Sequence, residues 1–268
     1  MILECNSRYT KYIKTTEDVV MKRALSLLVV LVVALAVTPA SAQGPKKKRE
    51  KIPTPEHMPL PGATMPERWL PVDEDGWTIL KPSVDSQLIY VSSSEGNDAT
   101  ARVYKAADAA VGADPMNPVG AIRPFKSIDA AMSKARDNQP DWVLLKRGDT
   151  WEGQGITAVS GRSGTEPSVV ASYGPDSDRP TLRGDGSRIG LGRRSAVSHA
   201  VVMGIDIYRS GMDPDSPDYD GEGGKGGISI SSGNNGPMKN ILVEDCRLRF
   251  AAASCTGAAL MKNVVFRR

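Results

Sequence analysis

Five carboxylates fall within ten residues of the stretch GMDPDSPDYDGEGGKGG: Asp213, Asp215, Asp218, Asp220 and Glu222. Carboxylates at such density are the ligands a calcium ion prefers, since Ca2+ collects about six to eight oxygens. The EF-hand spacing can be tested directly. With Ser216 first, Asp218 is third, Asp220 fifth and Gly221 sixth, but the twelfth position, where a bidentate Glu is needed, is Gly227. The stretch is no EF-hand. Two readings stay open: an irregular Ca2+ site drawn from the five carboxylates, or a solvated acidic loop in which Asp and Pro make turns. A second charged stretch, LLKRGDTWEG (Leu144 to Gly153), groups Lys146, Arg147, Asp149 and Glu152, and is expected to be a turn with Gly148 and Asp149 at the bend. His57 and His199 are the chain's two histidines. That supports neither a His-based nucleophile triad nor a typical zinc site.

The elements that must position these groups are short strands. One helix is predicted in RPFKSIDAAMSKARDNQP, with Ser127 as N-cap and Asp129 in the first turn. Lys134 and Arg136 are expected in its last turn, and Ile128, Ala131, Met132 and Ala135 make one apolar stripe. Downstream, WVLLKRG, SVVASYG, HAVVMGIDIYRSG, GISISSG and NILVEDCRLRF read as strands broken by Gly, Asp, Asn and Pro. HAVVMGIDIYR aligns with NILVEDCRLRF, so that Ala200 matches Ile241, Val202 matches Val243, Ile205 matches Cys246 and Ile207 matches Leu248. Alternation slips by one at Gly204 and Asp245, as a corner between two strands would require. The pattern restarts at NVVFRR, 23 residues after Asn240, a spacing suited to one coil of a parallel β-solenoid. The first two copies are 41 residues apart, which makes the acidic stretch an insertion between strands. Direct stacking of the copies sets Asp206 over Arg247 and Tyr208 over Arg249. That is a surface ion pair or one half of a sugar-binding face formed by Tyr208, Arg247 and Arg249. The third copy stops at Arg268 before its corner, so the natural protein is expected to continue and its open end to self-associate.

Ahead of the strands, an apolar run from Leu25 to Val37 follows Met21-Lys22-Arg23 and precedes Ala40-Ser41-Ala42. This is the pattern of a secretory leader cleaved before Gln43, and it is shorter than the roughly 20 residues that span a membrane. Met21 is a good start codon, which makes residues 1–20 an upstream extension. Residues 43–76 read as a proline-rich linker, with seven prolines between Gln43 and Pro71, and residues 77–268 as the folded domain. Removing residues 1–42 leaves 29 basic and 28 acidic side chains, which gives no electrostatic footprint for nucleic acid. The cleaved chain is expected outside the cytoplasm (extracellular, periplasmic or on the cell surface) with no stable membrane insertion. Cys246 and Cys255 remain after cleavage and are read as free thiols, an oxidised pair being the alternative in an exported protein.

LIYVSSSEGNDAT, PFKSIDAAM and WVLLKRGDTWEG together resemble the N-terminal end of secreted right-handed parallel β-helix proteins of the pectate-lyase-like superfamily. YRSGMDPDSPDYDGEGG, GISI and NILVEDCRLRF resemble the coil-and-loop pattern of bacterial right-handed β-helix repeat proteins. The resemblance covers residues 88 to 268. It implies an all-β solenoid with a short N-terminal capping helix, open at its C-terminal end. It also implies an exported carbohydrate-active protein with a polysaccharide substrate or ligand. For a lyase on acidic polysaccharide, a cation such as Ca2+ would neutralise the uronate carboxylate and a Lys or Arg would take the neighbouring proton. No catalytic residue is assigned. A non-catalytic glycan-binding or cell-surface β-helix, or a truncated inactive fragment, are the alternatives, because this fold hosts all of them.

Overall fold

The computed structural model of the protein describes residues 69–186, 188–192, 196–221, 226–231, 236–256 and 261–267. The expected leader, most of the proline-rich stretch and Glu222 lie outside the described residues. Strands dominate the fold. After β1 (Leu88–Val91), β2 (Val103–Tyr104) and the helix α1 (Ile128–Met132), the strands come in rounds of three. The first round is β3 (Trp142–Lys146), β4 (Thr150–Glu152) and β5 (Ile156–Thr157). The second is β6 (Ser168–Tyr173), β7 (Thr181–Arg183) and β8 (Arg188–Leu191). The third is β9 (Ala200–Met203), β10 (Asp206–Tyr208) and β11 (Gly227–Ser231). The fourth is β12 (Met238–Glu244), β13 (Arg247–Arg249) and β14 (Ala252–Thr256), and β15 (Met261–Arg267) begins another.

Each round gives one strand to each of three sheets. The first sheet runs β15-β12-β9-β6-β3-β1-β2, the second β13-β10-β7-β4 and the third β14-β11-β8-β5; none closes on itself. Every pairing between rounds is parallel, and the antiparallel β1–β2 pair finishes one edge of the first sheet. The stacking expected from the repeats is the observed register: Ala200 on Ile241, Val202 on Val243, Ile207 on Leu248 and Val243 on Phe266. Gly204 and Asp245, where alternation slips, have φ of 70° and 54°. A left-handed residue there turns the chain from the first sheet to the second, and Gly or Asp accepts that conformation at small cost.

Equivalent side chains stack into columns, as a spacing of about 4.8 Å between parallel strands demands. Trp151, Leu182, Ile207 and Leu248 make the inward column of the second sheet, and Ile156, Ile189 and Ile228 that of the third. They meet Val143, Val170, Val202 and Val243 of the first sheet in one core. The outer face of the first sheet is apolar as well. Trp142, Val169, Val201 and Leu242 pack there beneath Leu70, Tyr104 and Val111 of the N-terminal segment. Burial on both faces explains why WVLLK and SVVASY are continuous apolar runs. Leu70 lies inside the stretch read as linker, yet it is buried.

Helix α1 is shorter than predicted. Ser127 caps it by accepting from the Ala130 amide at 3.2 Å, and Ile128 and Ala131 are buried. The helix ends at Met132, and its last turn carries no basic residue. Arg136 is drawn away instead: its guanidinium donates to the buried Asp141 carboxylate at 2.6 Å, and its amide donates to the same group at 2.9 Å. Among the described residues no helix is long and apolar enough to cross a membrane.

Candidate functional site

The outer face of the first sheet is plated over by the N-terminal segment, and the second and third sheets carry the more open faces. On the second sheet, β10 lies between β7 and β13 with Tyr208 flanked by Arg183 and Arg249. Asp206 points outward from β10 but is fully buried. Arg247 and Arg249 both donate to it, at 2.6 and 2.8 Å, and cover it from solvent. The expected rung between Asp206 and Arg247 is thus present, not as an exposed pair but as a buried carboxylate under two guanidinium groups. That carboxylate pushes the Arg247 pKa further up, which excludes Arg247 as a proton acceptor. Tyr208 offers no bare ring, because the Arg249 guanidinium stands 4.0 Å from its centroid and that of Arg183 5.9 Å. The structure therefore brings Tyr208, Arg247 and Arg249 together, but turns them toward one another.

The acidic stretch begins with a 3-10 turn at Ser210–Met212 and is latched to this same face. The Tyr208 hydroxyl donates to Asp213 at 2.7 Å, and Arg183 bridges Asp218 at 2.7 Å and Glu152 at 3.2 Å. Asp213 also accepts from the Asp215 amide at 3.0 Å, a turn of the kind expected from Asp-Pro-Asp. The Asp220 amide donates to the Gly211 carbonyl at 3.1 Å, closing the loop near its base. Among the described residues no group of three His, Cys, Asp or Glu could hold a metal ion. Asp213 and Asp218 are paired with Tyr208 and Arg183, and Glu222 lies outside the described residues.

The other charged stretch is structural, as expected. Gly148 turns with φ of 79°. The buried Asp149 carboxylate accepts from the hydroxyls of Ser92 at 2.6 Å and Ser94 at 2.7 Å, tying the first round to β1. Lys146 pairs with Glu95. His199, Asn240 and Asn263 occupy equivalent corners with φ near 55–58° and link side chain to side chain. Asn263 donates to Asn240 at 2.9 Å, and Asn240 Nδ2 lies 3.1 Å from His199 Nδ1. Both described cysteines are free; burial pushes the Cys246 thiol up to about 11 and leaves it inert.

The third sheet is different. Along its outer face runs a groove of 630 Å3. Its floor is made of short side chains in register: Ser229 stands between Gly190 and Ser254, and Ser231 beside Thr256. Arg188 and Arg209 also line it, and Phe250 stands at the corner where β13 passes to β14. Arg209 is buried, with its guanidinium 3.4 Å from Asp185. Its stem requires Gly226: a Cβ there would stand 2.1 Å from Arg209 Cδ. Gly227 admits no side chain either, because its φ is 116° and a Cβ would stand 1.9 Å from the Ala252 carbonyl oxygen.

Of these groove residues the sequence reading names only Gly227, as the position that breaks the EF-hand spacing. The available signal was the alternation in GISIS and AASCT, which sends Ser229, Ser231, Ser254 and Thr256 to the side opposite Ile228 and Ile230. A scan against protein-family models finds no match for this chain, and a search of curated proteins finds none either.

Proposed function

We propose that this chain belongs to an exported right-handed parallel β-helix protein of the pectate-lyase-like type, and that it binds an acidic polysaccharide along the groove of the third sheet. Three parallel sheets fed in turn by each round support the β-helix, and crossovers joining parallel strands of one sheet are right-handed in nearly all proteins. The observation that carries the function is the lining of the groove: four hydroxyls with two guanidinium groups beside them. Hydroxyls of Ser229, Ser231, Ser254 and Thr256 both donate and accept, which suits the hydroxyls of a sugar chain. A guanidinium pairs with a carboxylate through two parallel hydrogen bonds, which suits a uronate. The groove follows the stacking direction of the strands, so an extended polymer can lie across several rounds.

Binding is favoured over lyase chemistry by the state of the arginines. A β-elimination needs a base at the proton beside the carboxylate, and the Arg247 and Arg249 guanidinium groups are both spent as donors to Asp206. A Ca2+ ion, if the protein used one, would supply the charge that neutralises the uronate.

The test is retention of the purified protein by a panel of uronate polysaccharides, with neutral glucans as controls. Retention by uronates, weakened by salt and reduced about fivefold by Arg188→Gln, is the expected outcome. Equal behaviour toward neutral and acidic polymers would sink the reading. Release of unsaturated products during the same incubation would convert the binding protein into a lyase.

A further inference from the structure

The corner between the second and third sheets is occupied by four equivalent residues: Gly153, Gly184, Arg209 and Phe250, each directly following the last strand residue of the second sheet. Gly153 and Gly184 have φ of 64° and 82°. Glycine is the residue such a corner calls for. Phe250 holds φ of 52° at the same place, where a bulky side chain is a genuine outlier. Folding gains little in return, because Phe250 is 52% exposed. A strained backbone and an exposed aromatic ring at one position motivate a search for function there.

The ring stands in a chemically coherent place. It lines the groove beside Arg209, which lies one round back, where the Arg209 amide donates to the Arg249 carbonyl at 3.0 Å. Ala251 and Ala252 follow it, so nothing bulky stands between the ring and the hydroxyls of Ser254 and Thr256. An aromatic face offers an apolar, electron-rich surface. The C–H face of a pyranose ring is its natural partner, since the sugar's hydroxyls and carboxylate then project sideways toward donors.

We infer that Phe250 is the stacking platform for one uronate ring at the corner end of the groove, with the exposed Arg188 guanidinium receiving its carboxylate and Ser254 and Thr256 its hydroxyls. This rests on the reading of the groove as an acidic-polysaccharide site and names the residue in it that recognises a sugar ring as opposed to charge alone.

The experiment compares the full chain with Phe250→Gly and Phe250→Trp. Binding is measured by calorimetry with hexameric oligouronates and, as a ringless polyanion, polyglutamate. Thermal midpoints are recorded in parallel. Phe250→Gly places there the residue that the first two rounds use and that suits the φ of 52°, so its midpoint is expected to hold or rise while oligouronate affinity falls about tenfold. Phe250→Trp is expected to stay within about threefold of the parent. Polyglutamate binding, if any, is expected to be the same in all three proteins. Unchanged oligouronate affinity in Phe250→Gly overturns the platform and leaves the groove reading standing. A midpoint that falls together with affinity makes Phe250 a packing residue and also overturns it. Failure of the parent chain itself to bind any oligouronate removes the groove reading and the platform together.

Discussion

The outer faces of the second and third sheets are built from the same rounds of chain and differ in one respect. Where the second sheet carries long charged side chains, they have found each other. Asp206 is closed under Arg247 and Arg249, and Arg183 is divided between Glu152 and Asp218. Beside Arg188, the outer face of the third sheet carries glycine, serine and threonine, which cannot reach across to a neighbour and so leave a channel. Charge density marks the face on which the charges are already paired. Charges that satisfy one another are scaffold; short polar side chains beside Arg188 and Arg209 leave an open channel.

That contrast can be broken at either face. The largest effect is expected from Gly227→Ala, which puts a methyl group 1.9 Å from the Ala252 carbonyl oxygen at a φ of 116°. A loss of about 3 kcal/mol or more in urea unfolding is expected, because neither backbone can yield without breaking the β11–β14 pairing. A neutral result would mean that the third sheet is not held by the close approach described.

Asp206→Ala comes next. Its two arginines are 55% and 38% exposed and can return partly to water, so about 2 kcal/mol of destabilisation is expected, below the usual range for a broken buried pair. Binding of uronate polymers by the folded variant should be unchanged. Loss of binding at full folding would move the site to the second sheet. Tyr208→Phe removes one hydrogen bond to Asp213, for an expected cost of about 1 kcal/mol. The acidic excursion should then be nicked faster by protease, and equal cleavage rates would show that Arg183 alone holds it.

The smallest effect lies at the corner ladder, away from both faces. Burial, aided by the Lys239 charge, lowers the pKa of His199 below its ordinary value of 6.5. The unfolded chain therefore takes up the proton first as pH falls. The contribution of His199 is present in full above pH 6.5 and declines as pH drops through that value toward the folded pKa. His199→Asn extends the asparagine ladder and suits the φ of 58°, so the variant should lose less stability than the parent between neutral pH and about pH 5. Parallel pH profiles for the two proteins would refute this.

Much of the stacking was legible because two signals agreed. Alternation fixed which side chains of HAVVMGIDIYR face inward, and the slip at Gly204 and Asp245 marked the corner that φ then confirmed. The Ser127 cap was legible for the same local reason. The helix end was not. Its apolar stripe continues to Ala135, but Asp141, five residues beyond Arg136, captures that arginine and draws the chain off the helical path. The burial of Asp206 was also hidden, since an outward carboxylate on a strand reads as solvated. Its cover comes from two arginines 41 and 43 residues away. The groove was least legible of all, because it consists of side chains that are missing, and alternation reports where side chains point but not how far they reach.

The N-terminal segment that plates the first sheet has a further consequence for the order of assembly. Rounds stack on immediate neighbours, and such a column could add one layer at a time as the chain emerges. Arg267, however, donates to the Thr78 hydroxyl across 189 positions of sequence while it also pairs with the buried Glu244. The plate is therefore latched only after the last described strand has been made. Until then it is fastened by its packing on the earlier rounds alone, like a zip whose slider arrives with the last described strand. The contact joins the two ends of the described chain, and unfolding of the layered stack is expected to be more cooperative for it.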